Sequence, residues 1–416
     1  MEMDSNASSR ILRASTSTTS TTSTFIATPA TSRRGSTTSH HVNQPSPPFP
    51  TVPSGPLPVT TLSAQSWRTA YPRIGQFAMT ATEEVVAAGP SGIFYFKRVR
   101  DHDSKPWSEA RPLPNTLATL NDSSVSGLAV IEVRLSKRHL YVYCVSGGRL
   151  HSFYRSQEDG SSWVEDPRPP LSSYLISGTP AVAVTKDEYR SRQRWSLAVP
   201  CQSGGVLHTS TDGLSTSGPY VPRQDWEPVD HVAKNLGIIS AVSITAIHTL
   251  KEYGYSTKDT DIVMACVASA RLHTVEGKFA QESSGSYSRP LKWKAQASTR
   301  IHHPGEVTGN PVLVKKAEAR QLDLLVPSAE GGVFHFVRTA STPDEWHMIA
   351  RITFPQVLPA ASCLAVNTHN QWQKQRQFHA LVQSGGRLYQ VRTFEGASSW
   401  SGSYLKPIVS PGPFSD

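Results

Sequence analysis

The chain has 416 residues, 38% of them hydrophobic, and a formal net charge of +9 from 41 Lys and Arg against 32 Asp and Glu. That length admits two or three domains or one large β architecture. There is no apolar run of about 18 residues, which excludes a helical membrane span. The basic residues are scattered; the densest group, Lys186, Arg190, Arg192 and Arg194 in "KDEYRSRQRW", lies between two apolar runs and alternates with polar residues. It reads as an exposed loop or strand edge rather than a nucleic-acid surface.

In chain order, residues 1–62 come first and are dominated by Ser, Thr and Pro ("STSTTSTTSTFIATPATS", "NQPSPPFPTVPSGPLP"). So few large apolar residues cannot offset the entropy of ordering, so a disordered tail is expected there and a folded domain over 63–416. The N-terminus has no apolar signal segment, so a cytoplasmic location is expected. Arg10, Arg13, Arg33 and Arg34 give the tail a loose transit-peptide character that plain disorder also explains, and "RRGS" at Arg33–Ser36 has the form of a basophilic kinase site. Cys144, Cys201, Cys266 and Cys363 have no CxxC spacing and lie in or beside apolar runs, as buried free thiols of a reducing compartment would.

The folded part repeats itself. The octets "SGGRLHSF" (Ser146–Phe153), "SGGVLHTS" (Ser203–Ser210) and "EGGVFHFV" (Glu330–Val337) are near-copies. With the second residue of each Gly-Gly-like turn as a marker (Gly92, Gly148, Gly205, Ala270, Gly332, Gly386), the spacings are 56, 57, 65, 62 and 54 residues. Two positions on stands a large apolar residue: Phe94, Leu150, Leu207, Leu272, Phe334 or Leu388. Three positions on stands Tyr95, His151, His208, His273, His335 or Tyr389, and a tryptophan follows each time: Trp107, Trp163, Trp226, Trp293, Trp346, Trp400. Ahead of the turn come two short apolar runs, such as Thr179–Val184 with Trp195–Pro200, Asn310–Val314 with Leu322–Pro327, and Ser362–Val366 with His379–Gln383. Such runs, bounded by Gly, Pro, Ser and Asn, are strand signals.

Four strands per unit, six units and no competing helical pattern predict an all-β fold, a β-propeller of six four-stranded blades, with seven possible. The Gly-Gly pair supplies positive φ for the hairpin between the second and third strands. The fourth unit departs, with Ser269–Ala270 in place of Gly-Gly, and Trp67 precedes any complete unit and could add an outer strand to the last blade or mark an eroded seventh.

The pattern "G-N/T-P-x-x-x-V … x-L-x-V-P … G-G-x-L-H … W", clearest over Gly309–Trp346, resembles the repeats of bacterial and fungal propeller lectins, among them the six-bladed fucose-binding lectins of fungi and the seven-bladed family with a "GGLxHxxR…W" unit. The resemblance covers roughly 75–405 and implies sugar pockets between adjacent blades, with an aromatic ring against the sugar and Arg and Glu on its hydroxyls. The fucose lectins place the Arg on a blade's second strand and the Glu on its third. Here the second strands ("YVYCV", "SLAVP", "IVMAC", "LLVPS", "ALVQS") lack Arg, and the fourth residue after each marker is never Glu.

Equivalent positions on different blades stand too far apart to share one metal ion, whose ligands lie about 2 Å away; no metal and no cofactor is expected. The His/Tyr ring therefore packs at blade interfaces or lines ligand pockets. The candidate ligand-binding residues are His335, Phe336, Arg338 and Trp346, which bring imidazole, aromatic ring and guanidinium together in one unit, with His151 and Tyr389. "IHHP" (His302, His303) reads as a surface loop. "SQEDGSSW" (Ser156–Trp163) and "TFEGASSW" (Thr393–Trp400) resemble the Asp-box of sialidases, a hairpin-stabilising turn away from catalytic centres. The acids show no recurring pair at the roughly 5–9 Å that glycosidase chemistry uses, and no P-loop, GxGxxG, GxSxG, HExxH or EF-hand pattern occurs. The reading is a non-catalytic, lectin-like binding propeller whose partner is a carbohydrate or small molecule, possibly a protein, with no nucleic-acid or membrane partner. The alternatives are an enzyme using the central tunnel, either a degenerate glycosidase or a small-molecule enzyme, or a protein-interaction scaffold.

Overall fold

A computed structural model of the chain describes residues 76–89, 92–98, 107–108, 110–113, 125–134, 138–156, 163–166, 169–187, 192–211, 226–247, 261–279, 291–294, 299–316, 321–342, 345–352, 360–367, 377–385, 387–394 and 404–407. The expected tail and Trp67 lie outside them.

Six antiparallel sheets follow one another along the chain. Blade 1 is β1 (Phe77–Met79), β2 (Glu84–Gly89), β3 (Gly92–Lys97) and β4 (Arg111–Pro112). Blade 2 is β5 (Val125–Arg134), β6 (Arg138–Ser146), β7 (Arg149–Ser156) and β8 (Val164–Glu165). Blade 3 is β9 (Ala181–Asp187), β10 (Arg192–Pro200), β11 (Val206–Thr211) and β12 (Asp230–Val232). Blade 4 is β13 (Ile239–Ala246), β14 (Ile262–Ala268), β15 (Arg271–Phe279) and β16 (Leu291–Trp293), with β17 (Thr299–Arg300) also paired to β15. Blade 5 is β18 (Val312–Lys316), β19 (Gln321–Pro327), β20 (Val333–Thr339) and β21 (His347–Ile352). Blade 6 is β22 (Ala361–Asn367), β23 (Gln377–Ser384), β24 (Arg387–Phe394) and β25 (Tyr404–Pro407).

The first strand of each blade touches the first strand of the next, and β22 returns to β1, so the ring closes at six and the seven-blade option falls. At the seam Cys363 Sγ donates to the Phe77 carbonyl at 3.1 Å. The "G-T-P" and "G-N-P" tripeptides ahead of β9 and β18 lock neighbouring blades. A Cβ on Gly178 would meet the Ser240 carbonyl oxygen at 2.1 Å, and one on Gly309 would meet that of Ser362 at 2.6 Å, so only glycine admits this approach. Thr179 N then donates to the Ser240 carbonyl at 3.0 Å. Asn310 reaches across with both ends of its amide, Nδ2 to the Leu364 carbonyl and Oδ1 from the Leu364 N–H, each at 2.7 Å.

The second strand of each blade is buried on both faces, and the core is divided into interface layers. One apolar cluster joins blades 6 and 1 (Phe94, Leu381, Leu388), another blades 1 and 2 (Tyr95, Val142, Phe153), and a third blades 2 and 3 (Leu150, Trp195, Leu207). The remaining interfaces have their own: 3/4 (Val206, Met264, Val275), 4/5 (Leu272, Phe334, Phe336) and 5/6 (Leu325, Val333, Val382). Burial on two faces explains why the strands read as continuous apolar runs without alternation. Of the basic segment "KDEYRSRQRW", Lys186 and Asp187 end β9 and Arg192–Trp195 begin β10, the register setting Arg192 opposite Asp187.

The turn residues behave as their sequence requires. Gly147–Gly148, Gly204–Gly205 and Gly331–Gly332 all have positive φ, and Ser269 and Ala270 adopt it too, at 49° and 56°. The fourth blade thus keeps the hairpin geometry although its residues have lost the glycine freedom that makes it cheap.

Candidate functional site: the clefts between blades

The six interfaces are of two kinds, and they alternate. The residue two places after the marker faces the preceding blade in blades 1, 3 and 5 and the following blade in blades 2, 4 and 6. Phe94 and Leu388 therefore meet at interface 6/1, Leu150 and Leu207 at 2/3, and Leu272 and Phe334 at 4/5. The residue three places after the marker lies on the opposite face, because successive strand side chains point to opposite sides. Its partners on the second strand fix the direction: Val86 faces Tyr95, Cys144 faces His151, Cys266 faces His273 and Val382 faces Tyr389. Tyr95 and His151 thus share interface 1/2, His208 and His273 share 3/4, and His335 and Tyr389 share 5/6.

In blades 2 to 6 the difference goes with turn length. In blades 2, 4 and 6 a two-residue turn carries the marker, as the pairs Ser146–Arg149, Ala268–Arg271 and Ser384–Arg387 show. Blades 3 and 5 use five residues, between Pro200 and Val206 and between Pro327 and Val333, which shifts the marker by one pleat. In blade 1 the marker Gly92 is itself paired, with Gly89. The sequence carries a signal of this: the residue after the marker is Ile93, Val206 or Val333 in odd blades and Arg149, Arg271 or Arg387 in even ones. The first three are buried, whereas Arg149 is exposed and Arg271 half-buried.

Interface 1/2 holds the densest chemistry. Trp163 packs edge-on to Tyr95 with ring centroids 6.0 Å apart, and the Arg155 guanidinium lies 4.1 Å from the Tyr95 centroid and 5.0 Å from that of Trp163. The guanidinium is held by charge as well, 4.0 Å from Glu84. Burial first, and then the Glu84 carboxylate, push the Tyr95 phenol up to about 12, so it stays a proton donor at neutral pH. Around this core Arg138 donates to Glu132 at 2.6 Å and to Thr82, and lies 3.5 Å from Glu84. Arg98 bridges both oxygens of Glu83 at 2.8 and 2.9 Å. Nε of Arg155 and Nε of Arg138 are buried donors without a hydrogen-bond partner among the described residues. His151 stands at the half-open edge of this interface, Nδ1 3.7 Å from Glu165.

Of the residues singled out in the fifth blade, the pleat separates what the sequence puts side by side. Phe336 and Arg338 face blade 4; His335 faces blade 6. Phe336 is fully buried among Leu324, Phe334 and Ala265. Arg338, 1% exposed, reaches Glu276 of blade 4 at 2.5 Å, and that carboxylate also accepts from Lys294 at 2.7 Å. Trp346 lies against the same guanidinium, 5.9 Å from ring centroid to Cζ. His335 bonds Asp323 at 2.7 Å, where Gln321 Nε2 also donates to the same oxygen. Tyr389 is 8% exposed on the blade 5 side. At interface 3/4 His208 sits edge-on to Trp293 at 4.9 Å, with Nδ1 3.8 Å from Asp230.

His302 is exposed, as a surface loop requires, but His303 is not a loop residue in that sense. Its Nε2 accepts from the Leu272 N–H at 3.3 Å and its ring packs 5.8 Å from Phe334. Burial, then Arg271, lower its proton affinity. The Asp-box-like segments fall on residues 157–162 and 395–400, outside the described residues.

The arrangement puts Arg on the third strand (Arg155 on β7, Arg338 on β20) and the carboxylate on the preceding blade (Glu84 on β2, Glu276 on β15). The fucose-lectin pattern, with Arg on a blade's second strand and Glu on its third, is met only in part: Arg138 stands on β6, a second strand expected to lack Arg, and Glu276 on β15, a third strand, but the two belong to different interfaces.

No protein-family model matches the chain, and no curated protein matches it. Solved structures do. The six-bladed propeller lectin of Aleuria aurantia, described with a novel mode of fucose recognition, is 12% identical with a TM-score of 0.51 over 82% of this chain and 98% of its own. The same lectin, as an N224Q mutant bound to Fucα1-6GlcNAc, gives 0.50 at 12% identity over the same shares. AofleA from Arthrobotrys oligospora gives 0.51 at 9% identity, over 82% of this chain and 87% of its own. The fold is thus that of a six-bladed propeller, shared with fungal fucose-binding lectins.

Proposed function

We propose that the chain is a non-catalytic carbohydrate-binding propeller whose ligand enters the cleft between blades 1 and 2. The observation that carries this is Arg155, its guanidinium against two aromatic rings with a carboxylate beside it and its Nε donor without a partner among the described residues. A sugar is an apolar ring edged with hydroxyls; it is recognised by aromatic surface together with a few fixed donors and acceptors. Charge-assisted hydrogen bonds from guanidinium and carboxylate are the strong ones. Arg138, Glu132 and Thr82 would extend the polar rim, and His151 would stand at its entrance. Arg338 and Trp346 present the same groups at interface 4/5 in a closed form, the guanidinium engaged by Glu276, so their part in binding is secondary. Phe336, His335 and Tyr389 act as interface packing.

A glycan array with the full chain, followed by titration of the selected glycan, tests the reading. Saturable binding is expected, and Arg155→Ala should weaken it about 10- to 100-fold, the loss of one hydrogen bond to a charged group. No binding to any glycan, or unchanged affinity in Arg155→Ala, would overturn it.

A further inference from the structure

The end of the ring that carries the turns between second and third strands holds an exposed apolar surface that neither the core nor the cleft uses. Four loops in and between blades 2, 3 and 4 build it: residues 146–149, 171–177, 201–205 and 233–238. Main-chain bonds tie them edge to edge. Ile176 N donates to the Gly148 carbonyl at 2.9 Å, Gln202 N to that of Leu175 at 3.0 Å, and Gly205 N to that of Gly237 at 2.8 Å. Ser177 Oγ donates to the Ile239 carbonyl at 3.1 Å, and Thr179 bridges Ala241 in parallel. The chain entering β9 thus runs beside the chain entering β13, and what the loops present is fixed by the fold.

On this surface stand Tyr174, Leu175 and Ile238, 37%, 54% and 67% exposed. They are half of the six exposed large apolar residues among the described ones; the other three, Val164, Met348 and Ile349, lie on the outer strands β8 and β21. Ile238 follows a one-turn 3-10 helix, Lys234–Leu236, that is left at Gly237 with φ 69°. The charge is one-sided as well. The four loops contain Arg149 and Lys234, both exposed, and no Asp or Glu.

Aliphatic side chains at loop tips, a tyrosine beside them and cations at the flanks match the chemistry of an anionic bilayer surface. The aliphatic groups enter the acyl boundary, the phenol sits at headgroup level, and the cations meet lipid phosphates. A folded partner would need a socket shaped to these three side chains, whereas a bilayer yields to them.

We propose that this end of the propeller docks on an anionic phospholipid membrane, with Tyr174, Leu175 and Ile238 inserted and Arg149 and Lys234 against the headgroups. The expectation of no membrane partner rested on the lack of a spanning segment, and a surface that lies on a bilayer needs none. The proposal is independent of the carbohydrate reading. Arg138 and Arg155 stand at the far ends of β6 and β7 from the turn that holds Arg149, so a docked chain turns the polar rim of cleft 1/2 away from the bilayer.

Cosedimentation of the full chain with phosphatidylcholine vesicles containing about 30% phosphatidylserine, against vesicles of phosphatidylcholine alone, tests this. Binding to the mixed vesicles is expected, weakened by salt and by removal of the anionic lipid. Leu175→Ser and Ile238→Ser should each weaken partitioning about five- to tenfold, and Lys234→Glu about ten- to thirtyfold. Met348→Ser, an exposed position on β21, should leave it unchanged. Both serine variants replace exposed side chains and should keep the parent denaturation midpoint, which separates lost binding from lost folding. No binding to the mixed vesicles overturns the proposal, as does binding that neither serine variant weakens or that is equally tight to phosphatidylcholine alone. A concentration-dependent dimer in analytical ultracentrifugation that Ile238→Ser dissociates, with no vesicle binding, overturns it in favour of an interface between two copies of the chain.

Discussion

Ala270 shows what a single residue contributes to a blade. It holds φ at 56° in a turn that elsewhere uses glycine, and an L side chain in that region costs about 1 kcal/mol or more. Ala270→Gly should therefore stabilise the chain by about 1 kcal/mol, read as a raised denaturation midpoint; a lowered one would mean that the methyl group packs usefully. Asn310 is the opposite case, a polar side chain tying two blades through both ends of its amide. Asn310→Ala leaves a backbone N–H and a carbonyl of Leu364 without those partners and should cost roughly 2–6 kcal/mol, at about 1–3 kcal/mol for each group left unsatisfied. An unchanged midpoint in that variant would show that the tie contributes nothing. The histidines add a pH dependence. His273 and His303 are both lowered, chiefly by burial. The folded state therefore holds them neutral where the unfolded chain already takes up protons. Their contribution is fully present above the ordinary histidine value of about 6.5 and is lost as pH falls below it. Thermal stability should drop as pH falls below about 6.5, and the double variant H273Q/H303Q should flatten that slope; an equal slope in the variant would assign the loss to other groups.

At the scale of the strand and turn, much of the molecule is legible in the sequence. The apolar runs Trp195–Pro200 and Leu322–Pro327 fall within β10 (Arg192–Pro200) and β19 (Gln321–Pro327). They can be read because burial on both faces makes composition alone diagnostic. The pairing of faces across the ring is harder to read, because in blades 2 to 6 it goes with whether a turn holds two residues or five, with the same marker in both, while blade 1 reaches the odd phase with a two-residue turn and a paired marker. For that reason His335, Phe336 and Arg338 look like one pocket in the sequence yet belong to two interfaces. Arg155 and Glu84 escape a sequence reading for a related reason: they come from different blades, 71 residues apart in the chain. The residue after the marker does report the phase, and this can be tested by exchange. Val206 is 0% exposed, so Val206→Arg buries a charge and should destabilise by roughly 3 kcal/mol or more. Arg149→Val, on an exposed position, should change stability by no more than about 0.5 kcal/mol. Similar costs for the two exchanges would contradict the alternation.

For the whole molecule, ring closure by first strands makes each interface a shared wall, so any group placed between blades is held from both sides. Such preorganisation suits a binding site and equally suits a purely structural ion-pair network; the two differ in whether anything else enters the cleft. A crystal structure of the full chain with the glycan selected on the array decides this directly. The sugar should lie between blades 1 and 2, within hydrogen-bond distance of Arg155 and against Trp163 or Tyr95. A sugar bound in the central tunnel lined by the first strands, or on the outer surface with Arg155 still packed as it is without ligand, would contradict recognition in this cleft.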